Sequence, residues 1–229
     1  MINSKKIIFC LILSIFILGC TPPPTVQDSI ESRAQSLAGR NQSIPLNSVE
    51  ITEYEGKQLD TMENVLDVSI KGPQYVDINK YQLEVVGLVE SPKKYSYEEV
   101  LALQEYSKLV TLHCVMGWSA TVLWEGVLLK DLFNEVKVKP EANTVIFYAY
   151  DGYTTSLPLS YILDNNIILA DKINNVTLVP ERGFPFELVA EDKYGYKWIK
   201  WVTKIEISDD LNYKGYWEKR GYDNNADIN

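Results

Sequence analysis

Leu112-His113-Cys114-Val115-Met116-Gly117-Trp118-Ser119, followed closely by Leu123-Trp124-Glu125-Gly126-Val127-Leu128-Leu129, carries more structural information than any other part of the chain. Leu109 to Val115 is rich in apolar and β-branched residues and predicts a core strand. Met116-Gly117-Trp118 ends it in a loop. A cysteine at such a strand end has a fixed thiolate direction and open space beside it. A soft thiolate suits a redox-active metal better than hard oxygen ligands do. The same residues also describe a hydrophobic strand with a buried, inert cysteine and packing tryptophans.

The cysteine count sharpens that choice. The chain has three cysteines, Cys10, Cys20 and Cys114, and one histidine, His113. Lys5 and Lys6 form a positive n-region, Ile7 to Leu18 an apolar run, and Gly19-Cys20 follows. This charge-then-apolar-then-small pattern predicts a signal peptide over 1–19. The apolar run falls short of the ~20 residues of a membrane span. Ile17-Leu18-Gly19-Cys20 has the form of a lipobox, in which Cys20 is acylated and tethers the mature chain to a membrane outside the cytoplasm. An uncleaved anchor helix is the alternative. Cys10 then leaves with the signal and Cys20 is blocked. Cys114 remains without a disulfide partner, in a compartment that usually oxidises thiols.

Thr21-Pro22-Pro23-Pro24-Thr25 opens a stiff polar tether over 20–48. The remaining 49–229 is long enough for one domain with its own core, expected over 76–213 with a C-terminal tail at 214–229. Net charge is −9, which argues against nucleic acid and anionic lipid as partners, since both need a positive surface. One histidine beside one cysteine makes a poor start for a zinc site and for a Ser-His-Asp hydrolase. Neither GxGxxG nor a P-loop occurs.

Outward from the cysteine, Tyr81 to Leu88 alternates as a strand, and Ser96-Tyr-Glu-Glu99 forms a capping box for a short helix. Val127 to Val136 predicts a helix with Leu128, Leu129, Leu132 and Phe133 on one face. Thr144 to Tyr150, an Asp151-Gly152 turn and Tyr153 to Leu157 predict a hairpin, with a helical turn over 158–163. Asn166 to Ala170 and Phe186 to Ala190 predict further strands. Trp201 to Ile207 alternates, with Thr203, Ile205 and Ile207 on one face. Short strands with few helices and no regular βαβ order predict an α+β class.

These pieces resemble the sulfite oxidase-like molybdopterin-binding domain family, especially its small members, which include methionine sulfoxide reductase catalytic subunits. The resemblance rests on Val86-Gly87-Leu88-Val89, Cys114-Val-x-Gly-Trp118, Trp124-x-Gly-Val-x-Leu129 and Asp151-Gly152-Tyr153. Tyr194-Gly195-Tyr-Lys-Trp-Ile-Lys200-Trp201 and Gly215-Tyr-Trp-Glu-Lys-Arg-Gly-Tyr222 extend it. It implies a mixed-sheet α+β fold and a Mo-molybdopterin cofactor whose metal takes its single protein ligand from Cys114. By the same resemblance Trp198, Ile199 and Lys200 match the segment that contacts the cofactor. Lys197 is a further candidate cation in that loop, whereas Lys193 and Lys204 read as a solvated basic face.

Arg182-Gly183-Phe-Pro185-Phe-Glu187 stands where the family commonly shows Asn-Gly-x-Pro-Leu-Arg. Glu187 cannot inherit an arginine's role beside phosphate, so Arg182 is the candidate to compensate. Ser69-Ile-Lys71-Gly72 matches an N-terminal loop that reaches the cofactor. The implied activity is oxygen-atom transfer with a small oxo-donating or oxo-accepting substrate. The sequence has no CxxCH haem motif and no iron–sulfur cysteine set. Electrons are therefore expected to pass to or from a separate redox protein, a haem protein among the candidates. The alternative is a metal-free lipoprotein that uses the same fold to bind a ligand or partner.

Overall fold

In the computed structural model, residues 49–228 are described, and all of them lie in one compact unit. The signal segment, Cys20 and the tether fall outside the described residues. A small hairpin comes first, β1 (Glu53–Tyr54) with β2 (Lys57–Gln58). Then follow β3 (Leu83–Gly87), β4 (Lys93–Tyr95), α1 (Tyr97–Leu101), β5 (Glu105–His113) and β6 (Ser119–Leu128). The chain continues through α2 (Leu129–Val136), β7 (Thr144–Ala149), β8 (Thr154–Pro158), α3 (Leu159–Asp164) and β9 (Ile168–Ile173). It ends with β10 (Val176–Thr177), β11 (Glu187–Val189) and β12 (Val202–Ser208).

Two five-stranded sheets carry the domain. One runs β10-β9-β6-β5 with β11 also paired to β9; the other runs β4-β3-β12-β7-β8. Only β3 and β12 pair in parallel in these sheets; the other pairs are antiparallel. This is the expected mixed α+β class. Side chains of both sheets meet in one core, to which Met62 and Val65 also belong.

The longest strand is the one that periodicity did not announce. β6 lies between β5 and β9 and is buried without interruption from Val122 to Val127. A strand covered on both faces loses the alternation that marks a half-buried one. Val127 and Leu128 therefore belong to β6, and the helix begins only at Leu129. The register of β6 against β9 slips between Glu125 and Gly126. A Cβ on Gly126 would lie 2.2 Å from the Leu169 carbonyl oxygen, so only glycine allows the strands to close here.

Other elements form for the reasons their residues suggest. Ser96 Oγ accepts from the Glu99 N–H at 3.2 Å while the Glu99 carboxylate accepts from the Ser96 N–H at 2.7 Å. In α2, Leu129, Leu132, Phe133 and Val136 are buried at helical spacing, and Leu128 is not part of that face. The β7–β8 turn is held by the Tyr153 N–H donating to Asp151 Oδ1 at 2.8 Å. In β12, Ile205 and Ile207 are buried as expected. Thr203 is not: a register shift between Val202 and Lys204 puts Val202 in the core instead.

Candidate active site

The ends of both sheets surround a cavity of about 1010 Å³, counted with the open space at its mouth. Cys114 lies at its wall, one residue beyond β5, and is half-buried. The loop that presents it is closed on itself. The Cys114 N–H donates to the Trp118 carbonyl at 2.9 Å, and the Gly117 N–H donates to the Cys114 carbonyl at 3.0 Å. Gly117 has φ +92°, a conformation that glycine adopts without steric penalty. The thiol thus stands where a rigid strand delivers it, beside open space. Among the described residues no three His, Cys, Asp or Glu side chains converge as an ordinary metal site.

A parallel bridge between His113 and Tyr194 brings the 194–201 segment alongside the cysteine. Trp198, Ile199 and Lys200 all line the cavity. Trp198 is fixed by its indole N–H donating to the Lys193 carbonyl at 2.9 Å and by contact with Trp124, ring centroids 5.3 Å apart. The Lys200 ammonium donates to Asp67 Oδ1 at 2.9 Å and to the Glu181 carbonyl at 3.0 Å. Trp201, next in the chain, lines the cavity with φ +52°. A bulky side chain seldom adopts that conformation, and such strain is characteristic of functional segments.

Two expected cofactor contacts are not brought to the cavity. Lys197 is fully buried elsewhere, its ammonium held by Glu218 at 2.6 Å, Asn224 at 3.0 Å and the Ser156 carbonyl at 3.1 Å. Burial lowers its pKa, and the Glu218 carboxylate opposes that shift. A long cation inside a sheet domain must be paired, and here the pair joins the 195–197 turn to the C-terminal tail. Arg182 is likewise absent from the cavity wall. Its guanidinium donates to the carbonyls of Met62 at 2.9 Å, Glu181 at 3.3 Å and Glu63 at 3.5 Å, tying the 180s turn to the N-terminal segment. Lys193 is no solvated surface residue: it is 9% exposed and paired with Asp227. Lys204 pairs with Glu206 and lies over the Tyr148 ring.

Ser69 and Ile70, from the N-terminal loop expected to reach the cofactor, form part of the wall, and so do Val65, Leu66 and Val68, which no motif singled out. The only local signal ahead of them is the Thr61-x-x-Asn64 turn, in which Asn64 Oδ1 accepts from the Thr61 N–H at 3.0 Å. Asp151 and Tyr153 line it as well, and the C-terminal tail contributes Trp217 and Tyr222. Tyr153 donates to the Tyr196 carbonyl at 2.6 Å. Burial raises its pKa far above that of a free phenol, with Glu218 and Asp151 adding to the effect.

These residues suit a molybdenum pterin. The wall offers a soft sulfur donor, a cation at Lys200 and apolar faces to exclude water. It also holds the Trp118 indole N–H, which is buried with no hydrogen-bond partner among the described residues. An orphaned donor in a cavity wall is a cost that a bound acceptor removes.

Comparison with known proteins agrees. The model of the oxidoreductase molybdopterin-binding domain matches residues 70–217. An uncharacterized oxidoreductase of Bacillus subtilis, YuiH, is 40% identical over 151 residues, covering 66% of this chain and 76% of that protein. The protein-methionine-sulfoxide reductase catalytic subunit MsrP of Gluconobacter oxydans is 30% identical over 149 residues, covering 56% of this chain and 47% of its own length. The chain therefore matches about half of that enzyme. Among solved structures, the sulfane dehydrogenase SoxCD of Paracoccus pantotrophus superposes with a TM-score of 0.58 at 25% identity, over 61% of this chain and 41% of that one. The thiol and the cation both sit within the matched residues, and the chain belongs to the sulfite oxidase-like family of molybdopterin-binding oxidoreductases.

Proposed function

We propose that this chain transfers an oxygen atom to or from a small oxo-accepting or oxo-donating substrate, with Cys114 Sγ as the protein ligand to molybdenum. When bound, the molybdenum pterin supplies the two-electron redox chemistry; the protein supplies binding, orientation and electrostatics. The observation that carries this reading is the half-buried thiol at a rigid strand end, facing a cavity that also contains a fixed cation at Lys200. Trp198 and Ile199, 4% and 1% exposed, form a dry, immobile floor, and the Lys200 ammonium would hold the anionic end of the cofactor. Trp118 Nε1 is available to an acceptor on the bound group. Asp67 holds the Lys200 side chain in place and keeps the local charge balanced. With no haem or iron–sulfur ligand set in the sequence, electrons pass to or from a separate redox protein, for which a haem protein is our candidate.

We further propose that the protein works outside the cytoplasm, held to a membrane by lipid on Cys20. Support comes from the Lys5-Lys6, Ile7–Leu18 and Gly19-Cys20 pattern. Among the described residues no helix is long and apolar enough to cross a membrane.

Both readings are tested on natively expressed full-length protein. The expected result is about one molybdenum per chain in the membrane fraction. Cys114→Ser should abolish the metal without unfolding the domain, and Cys20→Ser should move the protein to the soluble fraction. A metal-free wild-type protein contradicts the redox reading and leaves the cavity as a ligand- or partner-binding pocket.

A further inference from the structure

Glu187 opens β11 in the cavity wall and is 1% exposed. Its Oε2 is buried and has no hydrogen-bond partner among the described residues. The cations near it are committed elsewhere, Lys200 to Asp67 and the Glu181 carbonyl, Arg182 to three backbone carbonyls. Gly183 packs Glu187 and Lys200 side by side: a Cβ on it would lie 3.1 Å from the Cβ of each. A carboxyl group therefore lines the cavity beside the Lys200 side chain, with one oxygen unsatisfied.

An ionised carboxylate in that position would cost several kcal/mol for want of partners. It would also repel a phosphate. A neutral carboxylic acid has neither defect, because it carries an O–H donor. We propose that Glu187 binds the phosphate end of the pterin cofactor as a neutral carboxylic acid, donating its O–H beside the Lys200 ammonium, so that cofactor capture requires the protonated form. This rests on the cofactor reading given above.

Burial is the main cause that pushes the Glu187 pKa up to about 7; Lys200 and Arg182 oppose the shift and Asp67 adds to it. Its partner on β9 is the uncharged Ala170. The other ionisable groups of the wall are Cys114, Asp151, Tyr153, Tyr196 and Tyr222. A phosphate dianion beside Glu187 raises the pKa further. Below about pH 7 the free protein already carries the proton and binding is insensitive to pH. Above it, the proton must be taken up on binding, and affinity falls about tenfold per pH unit.

The test uses molybdenum-loaded full-length protein, dialysed to equilibrium between pH 6 and pH 9, with retained molybdenum and pterin phosphate measured per chain. In the wild type, retention should be flat to about pH 7 and then weaken about tenfold per unit. In Glu187→Gln, whose amide N–H donates at every pH, retention should stay flat throughout. Parallel profiles in the two proteins overturn the proposal and leave the cofactor reading intact. A flat wild-type profile also overturns it, whether or not the variant folds. Wild-type protein that carries no molybdopterin at any pH overturns both readings.

Discussion

Lys197 is the residue whose surroundings most change its meaning. In the sequence it stands three positions before Lys200 in the same aromatic loop, and both read as cations for the cofactor. The fold separates them: Lys200 lines the cavity, while Lys197 is fully buried with Glu218. Residue type and spacing do not distinguish the two, because the partner that claims Lys197 lies in the C-terminal tail and its pairing is tertiary. Lys197→Met should therefore destabilise the protein by about 3–5 kcal/mol in denaturant unfolding, since it strands the Glu218 carboxylate. Replacing both partners with apolar residues should restore most of the loss. A loss below about 1 kcal/mol, typical of an exposed pair, would contradict this assignment. Arg182 follows the same logic, since the Met62 and Glu63 carbonyls that bind it belong to a segment whose course no motif reveals. Cys114, Trp198, Ile199 and Lys200 could be singled out because short motifs shared with a known family carry them, in loops beside β5 and β12. Their common cavity was not, because the segment from Val65 to Ile70 that completes it has no repeating pattern.

At the level of elements, alternation identified β3 and β12, short apolar runs identified β5, β7, β9 and β11, a turn signal gave the β7–β8 hairpin and a capping box gave α1, whereas β1, β2, β4 and β10 had no such signal. These signals failed at β6, where burial on both faces leaves a nearly continuous apolar run that merges into α2. The marker of that strand is a glycine rather than a period. Gly126 sits at the slip in register between β6 and β9, and a methyl group there would collide with the Leu169 carbonyl and the Ala170 Cα, at 2.2 and 2.6 Å. Gly126→Ala should cost about 1–3 kcal/mol or more in unfolding free energy, with broadened resonances for β6 and β9 by nuclear magnetic resonance. Unchanged stability would mean that the two strands pair differently. β6 and β5 together aim the Cys114 loop, so molybdenum content should fall in the same variant.

For the whole molecule, the two sheets act as a frame whose ends hold one sulfur, one cation and a dry floor around a single cavity. Among the described residues no three His, Cys, Asp or Glu side chains converge on a metal, and the site depends on what the pterin brings. The central claim is that the Cys114 thiolate completes that coordination sphere. X-ray absorption at the molybdenum edge of the loaded full-length protein tests it most directly. The wild-type protein should show the two dithiolene sulfurs plus one more at thiolate distance. A wild-type spectrum with the dithiolene sulfurs alone would contradict the account.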